Sequence, residues 1–231
     1  MFDVERDGLN VESRLQGDFM IEKPLSEFKR TLLVLFAHPS LGRSEVNAPL
    51  AQAAAGIDGV TLVDLYAEYP GFHIDVDREQ ERLLAHDVIV FLHPLYWYST
   101  PAILKEWQDL VLEHGFAYGT GGDKLHGKLF FDATTAGGLE CAYRADGYNH
   151  FAISDLLQPL EQTATLCGMT WLPPFALFGA RQAVEENRLA EHVSNWRRIL
   201  EALRDDRLDI EQARLCMKLN DDLDKIIREA V

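Results

Sequence analysis

Five short runs of apolar residues punctuate the chain, at 31–37, 60–65, 88–92, 128–134 and 169–179. They are rich in β-branched and aromatic residues and show no alternation, which suits strands buried on both faces of a parallel sheet. The intervening segments carry helical spacing instead. One helix is predicted near 47–55 and closed by Gly56. A second covers 77–85, with Arg78, Glu79 and Glu81 outward and Leu83 and Leu84 inward. A third starts at Pro101, whose missing N–H suits the first helical position, with Thr100 or Ser99 as its cap. A fourth lies near 154–166 and ends at Gly168, and a long one spans 184–203. Strands alternating with helices predict a five-stranded, doubly wound parallel α/β sheet. Pro173-Pro174 confine hydrogen bonding at the start of the last strand.

The ends of the chain depart from this rhythm. Residues 1–30 have no clear period and read as an N-terminal arm, able to wrap a partner subunit. Residues 31–204 form the sheet domain, and 205–231 an extension. In the extension Leu208, Leu215, Leu219, Leu223 and Ile226 make an apolar stripe at helical spacing. It is expected to be an extra C-terminal helix, packed on its own body, on a neighbouring subunit, or against a separate partner.

Composition narrows the function. A length of 231 residues allows one sizeable core, and a formal charge of −15 with no basic patch argues against nucleic acid. Cys141, Cys167 and Cys216 form no CxxC, and the histidines form no HxxxH or HExxH, so no metal site is expected. Residues 1–30 lack the apolar stretch of a signal peptide, and nothing approaches the roughly 18 apolar residues of a membrane span. The expectation is a reduced, cytoplasmic chain that does not span a membrane.

Candidate chemistry gathers after the third strand. Residues 93–100 read His-Pro-Leu-Tyr-Trp-Tyr-Ser-Thr, placing Tyr96, Trp97 and Tyr98 in a loop at the carboxyl end of a strand. Open α/β sheets bind ligands there. The three aromatics either line a flat cofactor or simply cover the sheet edge. In the loop from His38 to Asn47 the chain opens a helix, offering free N–H groups and a positive dipole end to a phosphate. Ser44 and Asn47 add side-chain donors, Glu45 only a backbone amide because its carboxylate would repel a phosphate, and Arg43 either adds charge or faces solvent. The third loop, Thr134-Thr135-Ala136-Gly137-Gly138, pairs hydroxyls with glycines that let backbone approach a ring closely. Each loop alone fits an ordinary capped turn. Together they describe a site for a phosphate, a linker and a planar ring, that is, FMN. Gly119-Thr-Gly-Gly-Asp-Lys124 is neither a Walker motif nor GxGxxG, and no GxSxG elbow exists.

These motifs resemble a family. His38-Pro39 with Ser44 and Asn47, His93 to Ser99 with Pro101, Gly115-Phe-Ala-Tyr-Gly119, Leu125-His-Gly-Lys128 and Thr134-Thr135-x-Gly137 are similar to those of the flavodoxin-like NAD(P)H:quinone oxidoreductases. Within them, the ancillary quinone reductases of glutathione-gated potassium-efflux systems are the nearest group. The resemblance implies a flavodoxin-like fold and bound FMN, with His38 and Ser44 to Asn47 at its phosphate and ribityl chain. Leu95, Tyr96, Trp97 and Tyr98 would line the isoalloxazine, and Thr134, Thr135, Ala136 and Gly137 its pyrimidine edge. Ala136 stands where the family has glycine. Homodimers are implied, with Phe116 and Tyr118 reaching the neighbour's flavin as substrate contacts. A tyrosine and a histidine after the third loop support hydride transfer in the family; that loop offers Tyr143, Tyr148 and His150 here, of which Tyr143 and His150 are the candidates. The implied reaction is a two-electron, ping-pong transfer from NAD(P)H through FMN to a quinone.

Two other functions remain open at this point. One is a regulatory subunit of a potassium-efflux transporter, held at the inner face of the membrane by that partner. The other is a flavodoxin-type electron carrier.

Overall fold

The computed structural model describes residues 29–40, 42 and 44–229. The arm expected over residues 1–30 falls almost wholly outside these, as does Arg43.

In chain order the elements are β1 (Leu32–Phe36), α1 (Asn47–Ala55), β2 (Val60–Asp64), α2 (Leu65–Glu68), α3 (Val76–Ala85), β3 (Val88–Pro94), α4 (Ala102–Val111) and β4 (Leu129–Ala136). There follow α5 (Ile153–Leu166), β5 (Thr170–Trp171), β6 (Phe175–Phe178), α6 (Ala180–Glu185), α7 (Leu189–Arg204), α8 (Ile210–Ala213) and α9 (Leu223–Ile226). The sheet runs β2-β1-β3-β4-β5, with β6 also on β4, and every pairing is parallel. Every residue of β1, β3 and β4 is buried. Alternate side chains serve opposite layers. Leu32, Val34 and Phe36 face α1 and α7, while Leu33 and Leu35 face the layer of α3, α4 and α5. Each such leucine withdraws apolar surface worth about 1.5–3 kcal/mol. Trp196 Nε1 donates to the Leu50 carbonyl at 3.0 Å, joining α7 to α1.

Several local expectations are corrected. The last strand is two pieces, β5 on Leu129–Phe130 and β6 on Ala133–Ala136, because Pro173 and Pro174 interrupt pairing in its middle rather than at its start. Pro101 is the N-cap of α4, with extended ψ of 149°, and no side chain caps that helix. The long helix over 184–203 is broken into α6 and α7 where Asn187 takes a left-handed φ of 58°. In the extension two one-turn helices replace the single one. Leu208, Leu219, Leu223 and Ile226 are buried on the chain's own core, whereas Leu215 is 78% exposed.

Helix α3 shows the largest inversion of expectation. Glu79 is fully buried and Leu84 is half exposed. The helix face that carries Leu83 towards α4 carries Glu79 with it, one turn earlier, and Leu84 lies about 100° away. The Glu79 carboxylate accepts from Tyr69 Oη at 2.6 Å, from Trp107 Nε1 at 2.9 Å and from Arg82. The burial of Tyr69, with this carboxylate beside it, pushes its phenol pKa up.

A second buried polar pair lies at the carboxyl end of the sheet. His93 and Asp132 sit on adjacent strands, both fully buried, with Nε2 to Oδ1 at 2.8 Å. His93 Nδ1 faces the Pro94 carbonyl at 2.9 Å. Both ring nitrogens thus face acceptors, an arrangement that an imidazolium satisfies by donating twice. Burial opposes that charge, but the Asp132 carboxylate and the hydrogen bonds outweigh it, and the histidine pKa is raised. The pair grips the first carbonyl of the aromatic loop.

Replacing Glu79 by Ala leaves the buried Tyr69 and Trp107 donors without this acceptor and Arg82 with only its longer contact to Glu68, and should cost about 3–5 kcal/mol of unfolding free energy in denaturant titration. A loss below about 1 kcal/mol, the value of an exposed pair, would contradict this role. Because the His93 pKa is raised on folding, the pair's stabilisation is full below about pH 6.5 and fades as pH rises through the folded value. Melting temperature should therefore fall across that window in the native chain, and Asp132→Asn should lower it while flattening the slope; parallel curves would refute the assignment.

Candidate functional site

Three loops leave the carboxyl ends of β1, β3 and β4 and meet at one rim. Asn47, the first residue of α1 and 4% exposed, donates through Nδ2 to Thr135 Oγ1 at 2.9 Å. Thr135 sends its carbonyl the other way, to the Leu95 N–H at 2.8 Å. One threonine therefore binds both neighbouring loops. His38 is buried beside them, with its ring edge-on to Tyr96 at 6.2 Å. Its Nδ1 accepts from the Ser40 N–H at 3.1 Å, and burial lowers its pKa, so the ring is neutral near pH 7.

The first loop prepares the mouth of α1. Ser44 Oγ accepts the Asn47 N–H at 2.9 Å. The amides of Glu45 and Val46 make no hydrogen bond among the described residues, and they stand at the positive end of a nine-residue helix. The Val46 side chain is in the core and the Glu45 side chain is exposed, so each offers the rim its backbone alone.

The second loop is a tight turn. Tyr96 and Ser99 exchange two backbone hydrogen bonds of 3.0 Å, and between them Trp97 and Tyr98 take φ values of 50° and 64°. Positive φ at both central positions describes the turn that asparagine and glycine normally occupy. Bulky aromatics there store backbone strain, which is characteristic of functional loops. The Trp97 and Tyr98 amides also lack partners among the described residues, and the Trp97 side chain is 94% exposed.

Ala136 ends β4 buried in the core, and at Gly137 an added Cβ would meet nothing within 4 Å, so space lies open beside its backbone. Thr134 Oγ1 is buried and, like Asp132 Oδ2, has no hydrogen-bond partner among the described residues. Beyond, Tyr143 packs over Gly138 and against the Phe178 ring at 5.2 Å, and burial raises its pKa. Tyr98 Oη donates to Asn149 Oδ1 at 3.2 Å. Leu95, Trp97, Tyr98, Gly138, Tyr143 and Asn149, with Ala142 and Tyr148, line an open groove of about 310 Å³.

An FMN would ask for clustered donors at a phosphate, a rim that backbone can approach, and an apolar wall. The unpaired amides at Glu45–Val46 and Trp97–Tyr98, the space at Gly137 and the aromatic turn meet those needs. The residues fit the group.

The structure thus brings together His38, Ser44 to Asn47, Leu95 to Tyr98 and Thr134 to Gly137, with Tyr143 in the adjoining groove. His150 is exposed, at φ 63°, and does not line it. Phe116 and Tyr118 sit on the turn after α4, half-buried against the core, and are absent from the groove wall. Two residues escaped the sequence reading. Asp132 carried a signal, a lone charge inside an apolar run. Asn149 carried none.

The flavodoxin-like fold family matches residues 30–200. The glutathione-regulated potassium-efflux system ancillary protein KefG of Enterobacter sp. (strain 638) is 48% identical over 165 residues, 71% of this chain and 90% of the relative. The crystal structure of general stress protein 14 from Treponema denticola, in complex with FMN, is 34% identical with a TM-score of 0.71, covering 75% of this chain and 99% of that one. An NADPH-quinone reductase from P. pentosaceus is 30% identical with a TM-score of 0.65, covering 73% and 96%. With its strand order, rim loops and matched span in agreement, the chain belongs to the flavodoxin-like family and is a homologue of the KefG ancillary proteins.

Proposed function

We propose that the chain is an FMN-dependent NAD(P)H:quinone oxidoreductase. The observation that carries the reading is the rim itself, in which Thr135 ties two loops that both present unpaired backbone amides. The FMN-bound relative and the quinone reductase among the similar structures support it. When bound, FMN supplies two-electron chemistry, taking a hydride from NAD(P)H and passing its equivalents to a quinone in a ping-pong cycle.

The chain's own residues bind and orient. Glu45 and Val46 amides, with Ser44 and Asn47 at the mouth of α1, hold the phosphate and ribityl chain, and the neutral His38 closes that end without adding charge. The Trp97–Tyr98 amides donate to the ring edge, and Leu95 and Trp97 provide its apolar wall. Thr134 and Gly137 face the pyrimidine side; the Thr135 hydroxyl, engaged with Asn47, acts through the loops it holds. Tyr143 keeps its proton because burial raises its pKa, so it donates to negative charge developing on a quinone oxygen in the groove. His150 belongs to this site only if its loop turns inward. In a homodimer Phe116 and Tyr118 would close the pocket of the neighbouring subunit.

A second reading is favoured by the relatives' name. The chain would serve a potassium-efflux transporter as an ancillary subunit, cytoplasmic and held at the membrane by that partner. No helix among the described residues is long and apolar enough to cross a membrane. Both roles are compatible in one protein, and co-purification with a transporter's cytoplasmic domain tests the second.

FMN added to the purified chain should bind with quenched fluorescence, and Asn47→Ala, which frees the Thr135 hydroxyl, should weaken binding about tenfold. Protein that takes up no FMN in excess would end the proposal. In the loaded enzyme Tyr143→Phe should slow quinone turnover about a hundredfold with flavin content intact. Trp97→Ala should weaken flavin retention, and unchanged values would remove either residue from its role.

A further inference from the structure

The segment after Arg204 lies beyond the part matched by the family, residues 30–200, and its contacts are directed at one place. Leu219 is fully buried and its N–H donates to the Pro174 carbonyl at 2.9 Å. Asn220 then docks on the open side of β6. Its Oδ1 accepts the Ala176 N–H at 3.1 Å and its Nδ2 donates to the Ala176 carbonyl at 3.0 Å, as a neighbouring strand would. This fixes Lys218, whose ammonium meets Glu140 Oε1 at 2.6 Å and Asp221 Oδ1 at 2.8 Å. The same ammonium lies 5.9 Å from the centre of the Phe178 ring.

Glu140 and Phe178 flank Tyr143. Glu140 opens the short 3-10 turn that ends at Ala142, and the Phe178 ring is the surface on which Tyr143 packs. The Gly179 N–H, next to Phe178, donates to the Gly138 carbonyl at 2.8 Å, closing the same loop from its other end. The Lys218 side chain is only 14% exposed, so its charge is held at this spot rather than free in solvent.

We propose that the C-terminal extension is a brace for the loop over residues 137–150, with Lys218 as a positioning residue for Tyr143. One ammonium holds the loop through Glu140 and supports the ring beneath the tyrosine, while Leu219 and Asn220 lock it to the sheet edge. The significance of Tyr143 rests on the oxidoreductase reading; the brace itself does not.

Limited trypsin digestion of the full chain tests it, because Arg144 is exposed at the centre of the braced loop and Arg78, 53% exposed in α3, provides a reference site outside that loop. In Lys218→Met, cleavage after Arg144 should quicken about two- to five-fold relative to cleavage after Arg78, the factor expected of a single ion pair. Glu140→Gln should reproduce the effect without touching the extension's own packing, and Lys218→Arg should reverse most of it. Equal rates at Arg144 in wild type and both variants would overturn the brace. So would acceleration at both sites together, which is general loosening. Selective cleavage at Arg144 in a protein whose wild type reduces no quinone would keep the brace and remove the oxidoreductase reading.

Discussion

Thr135 occupies a position where the covalent chain changes from a strand buried on both sides to a loop open to solvent. Its hydroxyl receives Asn47 from the first helix and its carbonyl receives Leu95 from the neighbouring strand. The two bonds lie at the buried root of the loops, where water does not compete and each is correspondingly firm. Loops that would otherwise move separately become parts of one surface. The unpaired amides at Glu45, Val46, Trp97 and Tyr98 gain meaning from this, since donors serve a ligand only when their spacing is fixed in advance.

The strain in the Tyr96–Ser99 turn follows from the same arrangement. Two aromatic residues with left-handed backbone cost free energy, of order 1–3 kcal/mol each. The turn survives because the strand that enters it is held twice: by Thr135 at Leu95, and by His93, paired with Asp132, at the Pro94 carbonyl. The charged pair is buried directly below the loop, while the chain's large negative charge is spread over its surface.

The periphery is specialised in the same direction. At the end of the strand order β6 pairs only with β4 and so has an open edge, a liability in any sheet. Asn220 covers that edge with a side-chain amide, and the residue two positions earlier reaches the loop next to the groove. One segment thus protects the sheet and reaches the candidate site.

The alternation of apolar runs with helical segments was sufficient to identify a doubly wound parallel sheet, because strands buried on both faces leave an unmistakable apolar record. The motifs at strand ends were equally legible: small, polar and aromatic residues next to buried runs mark where backbone must turn and donors become free. Elsewhere local pattern misled. Glu79 reads as a solvent-facing charge until Tyr69, Trp107 and Arg82, distant in sequence, are brought around it. The extension reads as a single amphipathic helix until Lys218 and Asn220 find their partners on the Glu140 turn and at Ala176. Sequence by itself determined which residues prefer burial and where the chain must turn. Only the tertiary structure decided which buried polar groups meet, because a hydrogen bond or ion pair between distant segments depends on a register and distance that no local periodicity encodes.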